Sequence, residues 1–278
     1  MRLLFLAALT ALAALFAGGP SAHALTYQNG DLFLGVRASG GDGVADDFLI
    51  DIGPASQFIG KTSPFTVPNL GNLGAAIAAI YGSDWSSRDD VFWSISGGNL
   101  PADPENTLYA TRKAAGIGQQ PLPWLGDSNS AQGVVITKFN ALAGAYVIGT
   151  AAAGTPTGTR QHAADPNSYA SFQPGGTVQN SNGQSFAYFS PSIEASFAGG
   201  PAASVLDLIQ VTPVYQQFGQ DLGSFTLDAS GVLTFTPAPA TATVQFRSAT
   251  YSVDEDSGAA RAFVTLTRGG NLSVPFTV

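Results

Sequence analysis

The sequence predicts a mainly β protein: a β-rich, sandwich-like domain with two short helices, followed by a short C-terminal stretch of further strands. Apolar residues recur at every second position in many short runs, an alternation typical of half-buried strands. Turn-forming clusters separate these runs in a chain with 33 glycines and 17 prolines. Only two segments have the apolar spacing of a helix. We therefore expect strands to supply most of the core.

Strict alternation marks three strands, within residues 32–36, 48–52 and 91–95. The run 205–211 is almost continuously apolar, which predicts a strand near the centre of a sheet. Residues 225–227 and 233–235 flank the turn sequence Asp-Ala-Ser-Gly and predict a hairpin. The apolar residues predicted to line one face of these strands are Leu32, Leu34, Val36, Phe48, Ile50, Ile52, Val91, Trp93, Ile95, Phe225, Leu227, Leu233 and Phe235.

Two helices are predicted between the strands. Asn72 is a suitable N-cap for residues 73–81, and Gly82 ends that segment. The second helix begins at Ser128 or Asn129 and ends near Gly149. In both segments the apolar residues follow helical spacing, which predicts a face packed in the core. These residues are Leu73, Ile77, Ile80 and Tyr81 in the first helix, and Val135, Phe139, Leu142 and Tyr146 in the second.

Residues 1–24 are predicted to be a secretory signal peptide. Arg2 gives a basic start, residues 3–16 form an apolar run, and Ala22-His23-Ala24 is an A-x-A processing site. The mature chain is expected to begin at Leu25. The apolar run is too short for a membrane span, and no later segment reaches that length without polar interruption. We therefore expect a secreted or cell-surface protein with no membrane span after signal cleavage.

Composition narrows the classes of partner and chemistry. The formal net charge is −8, although only 11% of the residues are charged. Nucleic acid and anionic membranes are therefore unexpected partners. The chain has no cysteine, which excludes disulfides, thiol nucleophiles and thiolate metal sites. Stability must come from a packed core.

The composition shift at "TPAPATAT", residues 236–243, predicts a domain boundary. We assign residues 25–237 to the β-rich exported domain, 238–243 to a Pro/Ala linker and 244–278 to a partial second domain. In that last stretch, alternating apolar pairs enclose the acidic turn "DEDSG". Carboxylates in a turn suit a hard cation such as calcium.

Residues 243–278 resemble the first half of a Calx-beta domain. The family pattern is aromatic-x-Val-x-Glu-x-x-Gly followed by Val-x-Val-x-Arg-x-Gly. The resemblance implies the first strands of an immunoglobulin-like sandwich that binds calcium through Glu255, helped by Asp254 or Asp256. The later loops that complete the ligand set in the family are absent here, so we expect weak or no calcium binding by this chain. The matching positions are Tyr251, Val253, Glu255, Gly258, Val264, Leu266, Arg268 and Gly270.

Residues 25–238 resemble the exported region of bacterial proteins of the PEP-CTERM type. The segments that carry the resemblance include "NGDLFLGVRASGG", "DDFLIDIGPASQF", "IYGSDWSSRDDVFWSISG", "NTLYATR" and "LGSFTLDASGVLTFTPA". A Pro-Glu-Pro sorting tail with an apolar span and a basic end is not present. The resemblance implies export, but it assigns no chemistry.

The residues do not predict an enzyme. His162 is the only histidine after signal cleavage, so a two-histidine metal site is impossible within one chain. No G-x-S-x-G elbow marks a serine nucleophile. Carboxylate pairs involving Glu105, Glu194 or an aspartate could in principle hydrolyse glycosides, but most aspartates lie in turn sequences.

Two acidic groups leave alternatives open. One group is Asp42, Asp46 and Asp47, and the other is Asp84, Asp89 and Asp90, which flank Trp85 and Arg88. Each group is either a solvated turn or a site for calcium or a sugar ring.

We therefore predict an exported, non-enzymatic surface or extracellular-matrix protein with a role in adhesion, matrix assembly or cell communication. The expected partners are cell-surface proteins or extracellular polysaccharide. The alternative is a secreted glycan-binding or carbohydrate-active protein. Two carboxylates about 5 to 9 Å apart in a concave, aromatic-lined cleft would favour that alternative.

Overall fold

The computed structural model describes residues 27–98, 105–114, 124–173, 189 and 192–238, together with the backbone of two strands in the C-terminal stretch. Three α-helices are described: α1 (Leu73–Tyr81), α2 (Asn129–Ile148) and α3 (Tyr169–Phe172). The strands of the main domain are β1 (Asp31–Ala38), β2 (Asp46–Pro54), β3 (Phe65–Thr66), β4 (Val91–Gly98), β5 (Leu108–Lys113), β6 (Thr150–Ala151), β7 (Gly158–His162), β8 (Ala195–Ser196), β9 (Leu206–Val211), β10 (Gln220–Leu227) and β11 (Leu233–Pro237).

These strands form one antiparallel sheet in the order β3-β11-β10-β9-β5-β4-β1-β2-β7-β6, and β8 also pairs with β4. Leu34 pairs with Ile50 on one side and with Ile95 on the other. The three strictly alternating strands of the sequence are therefore adjacent. Strand β9 lies between β5 and β10, which confirms the central position predicted from its apolar run.

One face of the sheet encloses the larger core. Apolar residues from β1, β2 and β4 share a single cluster with those from β9, β10 and β11, although these strands lie toward opposite ends of the sheet. The sheet therefore curls around this core, which gives the β-rich, sandwich-like packing that the sequence predicts. Helix α1 contributes Leu73, Ile77 and Tyr81 to the same cluster. The hydroxyl of Tyr81 donates to Val36 O at 2.7 Å and so fixes the helix to β1.

The opposite face is covered by α2 and α3. From α2, Phe139, Leu142 and Tyr146 pack in a second apolar cluster with Leu49 of β2. By length and composition α2 could cross a membrane, but these side chains make it a core helix of the domain. At α3 the ring of Tyr169 lies directly against β1, where a Cβ at Gly35 would clash with it.

Both predicted helices are confirmed. Asn72 accepts a hydrogen bond from Ala75 N at 3.1 Å, and α1 ends at Gly82. At α2 the N-cap is Ser128, whose side chain accepts from Ala131 N. Helix α3 is not predicted because its single turn is too short to show helical periodicity.

The predicted hairpin is also confirmed, since Phe225 pairs with Phe235 and Leu227 with Leu233. Its turn is stabilised by Asp228, whose carboxylate accepts from the backbone N–H groups of Ser230 and Val232 at 2.9 Å. The Ser230 hydroxyl and these N–H groups lower the pKa of Asp228.

In the C-terminal stretch, β12 (Thr243–Phe246) and β13 (Leu266–Gly269) pair antiparallel as a separate two-stranded sheet. Val244 pairs with Arg268. The predicted calcium residues Asp254, Glu255 and Asp256 lie outside the described residues. The assignment of this stretch to a Calx-beta-like domain stays a prediction.

Candidate functional site

The two acidic loops noted in the sequence meet around Arg88. Its guanidinium donates hydrogen bonds to Gly40 O at 3.0 Å and Asp42 O at 3.1 Å. It also donates to Tyr81 O at 2.5 Å and to both carboxylate oxygens of Asp90, at 2.8 and 2.6 Å. The hydrogen bonds from Arg88 lower the pKa of Asp90. One arginine therefore fastens the two loops to each other.

Two other carboxylates border this junction. A Cβ atom at Gly82 would lie 3.0 Å from Asp84 Oδ1 and 3.7 Å from Asp42 Oδ2, so the carboxylates flank the glycine. Among the residues that the structure describes, no group of three or more His, Asp or Glu side chains is placed to hold a metal ion. Trp85 is 1% exposed and packs edge-on against Phe197, with ring centroids 4.9 Å apart. This tryptophan is therefore too buried to stack on a sugar.

Asp46 and Asp47, predicted to crowd the same loop as Asp42, belong instead to opposite faces of β2. The Asp46 carboxylate accepts a hydrogen bond from Arg160 at the surface, at 2.5 Å. Asp47 is completely buried on the face covered by α3, where its Oδ2 accepts from Ala170 N at 2.6 Å. The alternation of a strand separates these neighbours.

Asp47 is one of two carboxyl groups on that face with a strongly raised pKa. Burial raises the pKa of Asp47 to about 7, even though the Ala170 N–H and Arg37 favour the charged form. Its partner across the β2–β7 pair is Gln161. Within the described part of the chain, Asp47 Oδ1 and both polar atoms of the Gln161 side chain are buried without a hydrogen-bond partner. A carboxyl group that titrates near neutral pH is a common property of functional sites, and also of buried structural ones.

A hydrogen-bonded network lies beside Asp47. Arg37 donates from Nε and Nη2 to the two oxygens of Glu194, at distances from 2.6 to 3.0 Å. Tyr169 donates to Glu194 Oε1 at 2.9 Å, and its hydroxyl also lies 2.6 Å from Ser94 Oγ. Ser94 is fully buried. These four side chains join β1, β4, α3 and the segment before β8, so the arrangement fastens the covering segments to the sheet.

Another carboxyl group, Asp51, lies on the same face toward the other end of β2. Its Oδ1 accepts a hydrogen bond from Gly53 N at 2.7 Å. Burial and the neighbouring Asp31 raise the pKa of Asp51 to about 7, although the Gly53 N–H favours its charged form. Asp51 is therefore a second carboxyl group on this face that titrates near neutral pH.

His162 lies at the exposed end of β7. Its Nδ1 accepts a hydrogen bond from Ala164 N at 3.1 Å. The carboxylate of Asp165 accepts instead from Asn167 N at 2.8 Å, as a turn aspartate does. His162 and Asp165, three residues apart in the chain, therefore each make local turn contacts.

The sequence patterns described above do not predict the buried polar residues of the second face. They do not group Arg37, Asp47 and Asp51 as an inward-facing set, and they mark Glu194 only as a possible member of a carboxylate pair. A signal was available for three of them. In β1 and β2 the positions that alternate with the predicted apolar ones include Phe33, Arg37, Asp47, Leu49 and Asp51, and this mixture of apolar and charged residues indicates a second buried face.

Comparison with known proteins finds no matching family model, no matching curated protein and no matching solved structure. Functional interpretation therefore depends on the residues themselves.

Proposed function

We propose that this chain is an exported, non-enzymatic surface or extracellular-matrix protein that acts in adhesion, matrix assembly or cell communication. The signal-peptide pattern of residues 1–24 and the resemblance of residues 243–278 to a Calx-beta domain support this role. Its expected partners are cell-surface proteins or extracellular polysaccharide.

The observation that carries the proposal is how the domain uses its few charged side chains. Arg37 pairs with Glu194, 157 residues away in the chain. Arg88 links two loops in the same manner. Exported domains often use disulfides to restrain distant segments. In this cysteine-free chain, charge-assisted hydrogen bonds perform that task, as expected of a stable scaffold.

Calcium enters the proposal through the C-terminal stretch alone. Glu255, with Asp254 or Asp256, would supply a few carboxylate oxygens, whereas calcium takes six to eight oxygen ligands. We expect a version extended through a complete Calx-beta domain to bind calcium, and the present chain to bind it weakly or not at all.

The test has two parts. Expression in a Gram-negative host followed by mass spectrometry should identify Leu25 as the N-terminus of the exported protein. A soluble cytoplasmic product that retains Met1 would contradict the extracellular role. In calorimetric titration with calcium, the extended protein should lose binding on Glu255→Gln. Binding that survives this substitution would move the calcium site away from the acidic turn.

The second candidate is a secreted glycan-binding or carbohydrate-active protein. Of these two roles, glycan binding is favoured by Tyr215, an aromatic side chain that is 70% exposed on a well-anchored loop.

A further inference from the structure

The connection between β9 and β10 displays apolar side chains to solvent. We name residues 212–219 the Tyr215 loop. Val214 is 50% exposed and Tyr215 70% exposed, and Leu125 of the neighbouring segment is 44% exposed. Isolated exposed apolar residues are common on protein surfaces, but here two adjacent ones lie on the same loop.

Backbone hydrogen bonds hold this loop in place. Gly126 N donates to Gln217 O at 2.6 Å, Gln216 N donates to Gly126 O at 2.8 Å, and Gly219 N donates to Trp124 O at 2.8 Å. Within the loop, Gln217 N donates to Val214 O at 3.0 Å. The segments approach so closely that a Cβ at Gly126 would clash with the Val214 carbonyl. Tyr215 is therefore presented from a fixed backbone.

Backbone strain is concentrated beside the same loop. Gln216 has φ +59° and Asn106 has φ +64°, and they are two of only three non-glycine residues with positive φ in the part of the chain that the structure describes. Asn106 donates to Asn129 O at 3.0 Å, at the start of α2. The Tyr215 loop is tied to Gly126, two residues before the α2 N-cap. Asparagine adopts this conformation readily, whereas at Gln216 it costs about 1 kcal/mol or more, and such strain tends to cluster at binding sites.

The exposed groups of the loop are uncharged. Residues 212–219 contain no acidic or basic side chain, and Gln216 and Gln217 are exposed next to Tyr215. A tyrosine ring offers a flat apolar surface with a polar edge. Glutamine amides both donate and accept hydrogen bonds. This combination matches a neutral sugar, which has an apolar ring face and a rim of hydroxyl groups.

Two other occupants fit less well. The net charge of −8 opposes the approach of an anionic polymer. A stable protein partner requires about 800 Å² of buried surface on each side, far more than four exposed loop residues provide.

We propose that the Tyr215 loop is a subsite for a neutral sugar ring, in which Tyr215 stacks on the ring and Gln216 and Gln217 hydrogen-bond its hydroxyl groups. The proposal rests on the extracellular role given above and names polysaccharide as the partner of this surface.

The experiment is native affinity electrophoresis of the purified mature protein in gels containing hydroxyethyl cellulose, mannan or dextran. At least one of these neutral polysaccharides should slow the wild-type protein. Tyr215→Ala should weaken that binding about tenfold, as loss of a central aromatic contact does, whereas Tyr215→Trp should retain it. The matched control is Ile148→Ala, because Ile148 is an apolar residue 84% exposed on α2, outside the loop. This control should migrate as the wild type.

Three outcomes would overturn the proposal: no polysaccharide slows the wild-type protein, Tyr215→Ala is slowed as much as the wild type, or Tyr215→Ala abolishes self-association in sedimentation. The last result would identify the loop as an interface between copies of the chain. Because purified protein is used, these results do not depend on whether the cell exports the chain. Failure of the sugar-binding test can therefore be distinguished from failure of the export test described above.

Discussion

Asp47→Asn is expected to stabilise the domain at neutral and alkaline pH and to leave its stability nearly unchanged in acid. The Asn side chain preserves the shape of the carboxyl group, and its oxygen can accept the Ala170 N–H in place of Asp47 Oδ2. Its amide group would take the position of Oδ1. Gln161 is the residue opposite Asp47 on the paired strand β7. Among the described residues, the buried side-chain oxygen of Gln161 has no hydrogen-bond partner.

The magnitude follows from the pKa of Asp47, which burial raises from 3.8 to about 7. In acid the folded and unfolded states both hold the proton, so stability is complete. As the pH rises, the unfolded chain releases its proton first, and the free energy of unfolding falls until the folded group ionises. At about 1.4 kcal/mol per pKa unit, the loss between about pH 4 and pH 7 has a ceiling of roughly 4 kcal/mol. Asp47→Asn removes this loss.

The assay is urea unfolding of the mature chain followed by tryptophan fluorescence at a series of pH values. All three tryptophans precede the predicted linker, so the signal reports on the main domain. The difference in free energy of unfolding between variant and wild type should be near zero at about pH 4 and reach several kcal/mol by about pH 8.

The matched control is Asp46→Asn, which removes the same charge from the adjacent, more exposed ion pair with Arg160. It should change the free energy of unfolding by less than about 1 kcal/mol at every pH. If Asp47→Asn instead destabilises the domain at alkaline pH, or if its effect is independent of pH, then Asp47 is ionised and well compensated in the native state. The reasoning from burial would then be wrong.

Three other predictions use the same unfolding assay. Gly35→Ala should destabilise the domain by about 2–3 kcal/mol or more, because its methyl group would overlap the Tyr169 ring; an unchanged midpoint would show that α3 is free to move away. Glu194→Gln should cost about 2–4 kcal/mol, because it leaves Arg37 without a carboxylate partner, and a cost below about 1 kcal/mol would mean that solvent screens this pair. A chain ending near Pro237 should unfold cooperatively at nearly the midpoint of the mature chain, whereas loss of cooperativity would place the C-terminal strands in the main fold.

Most of the first face of the sheet is predictable from the sequence because one physical rule governs it. Alternating apolar residues in β1, β2 and β4 need only a shared buried face, and the register places Leu34, Ile50 and Ile95 side by side. The hairpin at Asp228 and the caps at Asn72 and Ser128 are local. Their hydrogen bonds span only three or four residues, so the sequence contains all the information they need.

The second face is not predictable in the same way because its contacts are long-range. Nothing local in the sequence indicates that Arg37 meets Glu194, 157 residues later. Strand β7 has a polar sequence, Gly158–His162, and pairs with β2 only because α2 returns the chain to that edge. Closeness in sequence can also mislead. Asp46 and Asp47 are neighbours in the chain, but strand alternation places their side chains on opposite faces of β2.

The sign of the overall pH dependence is decided by burial. Asp90 and Asp228 have lowered pKa values, and such groups add stability above their unfolded pKa. Asp228 is exposed and Asp90 is partly exposed, so solvent and salt screen their interactions. Asp47 and Asp51 lie on the covered face of β2, and both have a pKa of about 7. Stability from these two groups is complete in acid and is lost as the pH rises through about 7.

The buried carboxyl groups change the free energy of unfolding more than the screened surface groups do. The wild-type domain should therefore be more stable at about pH 5 than at about pH 8. Part of this difference should persist in Asp47→Asn, since Asp51 still titrates there.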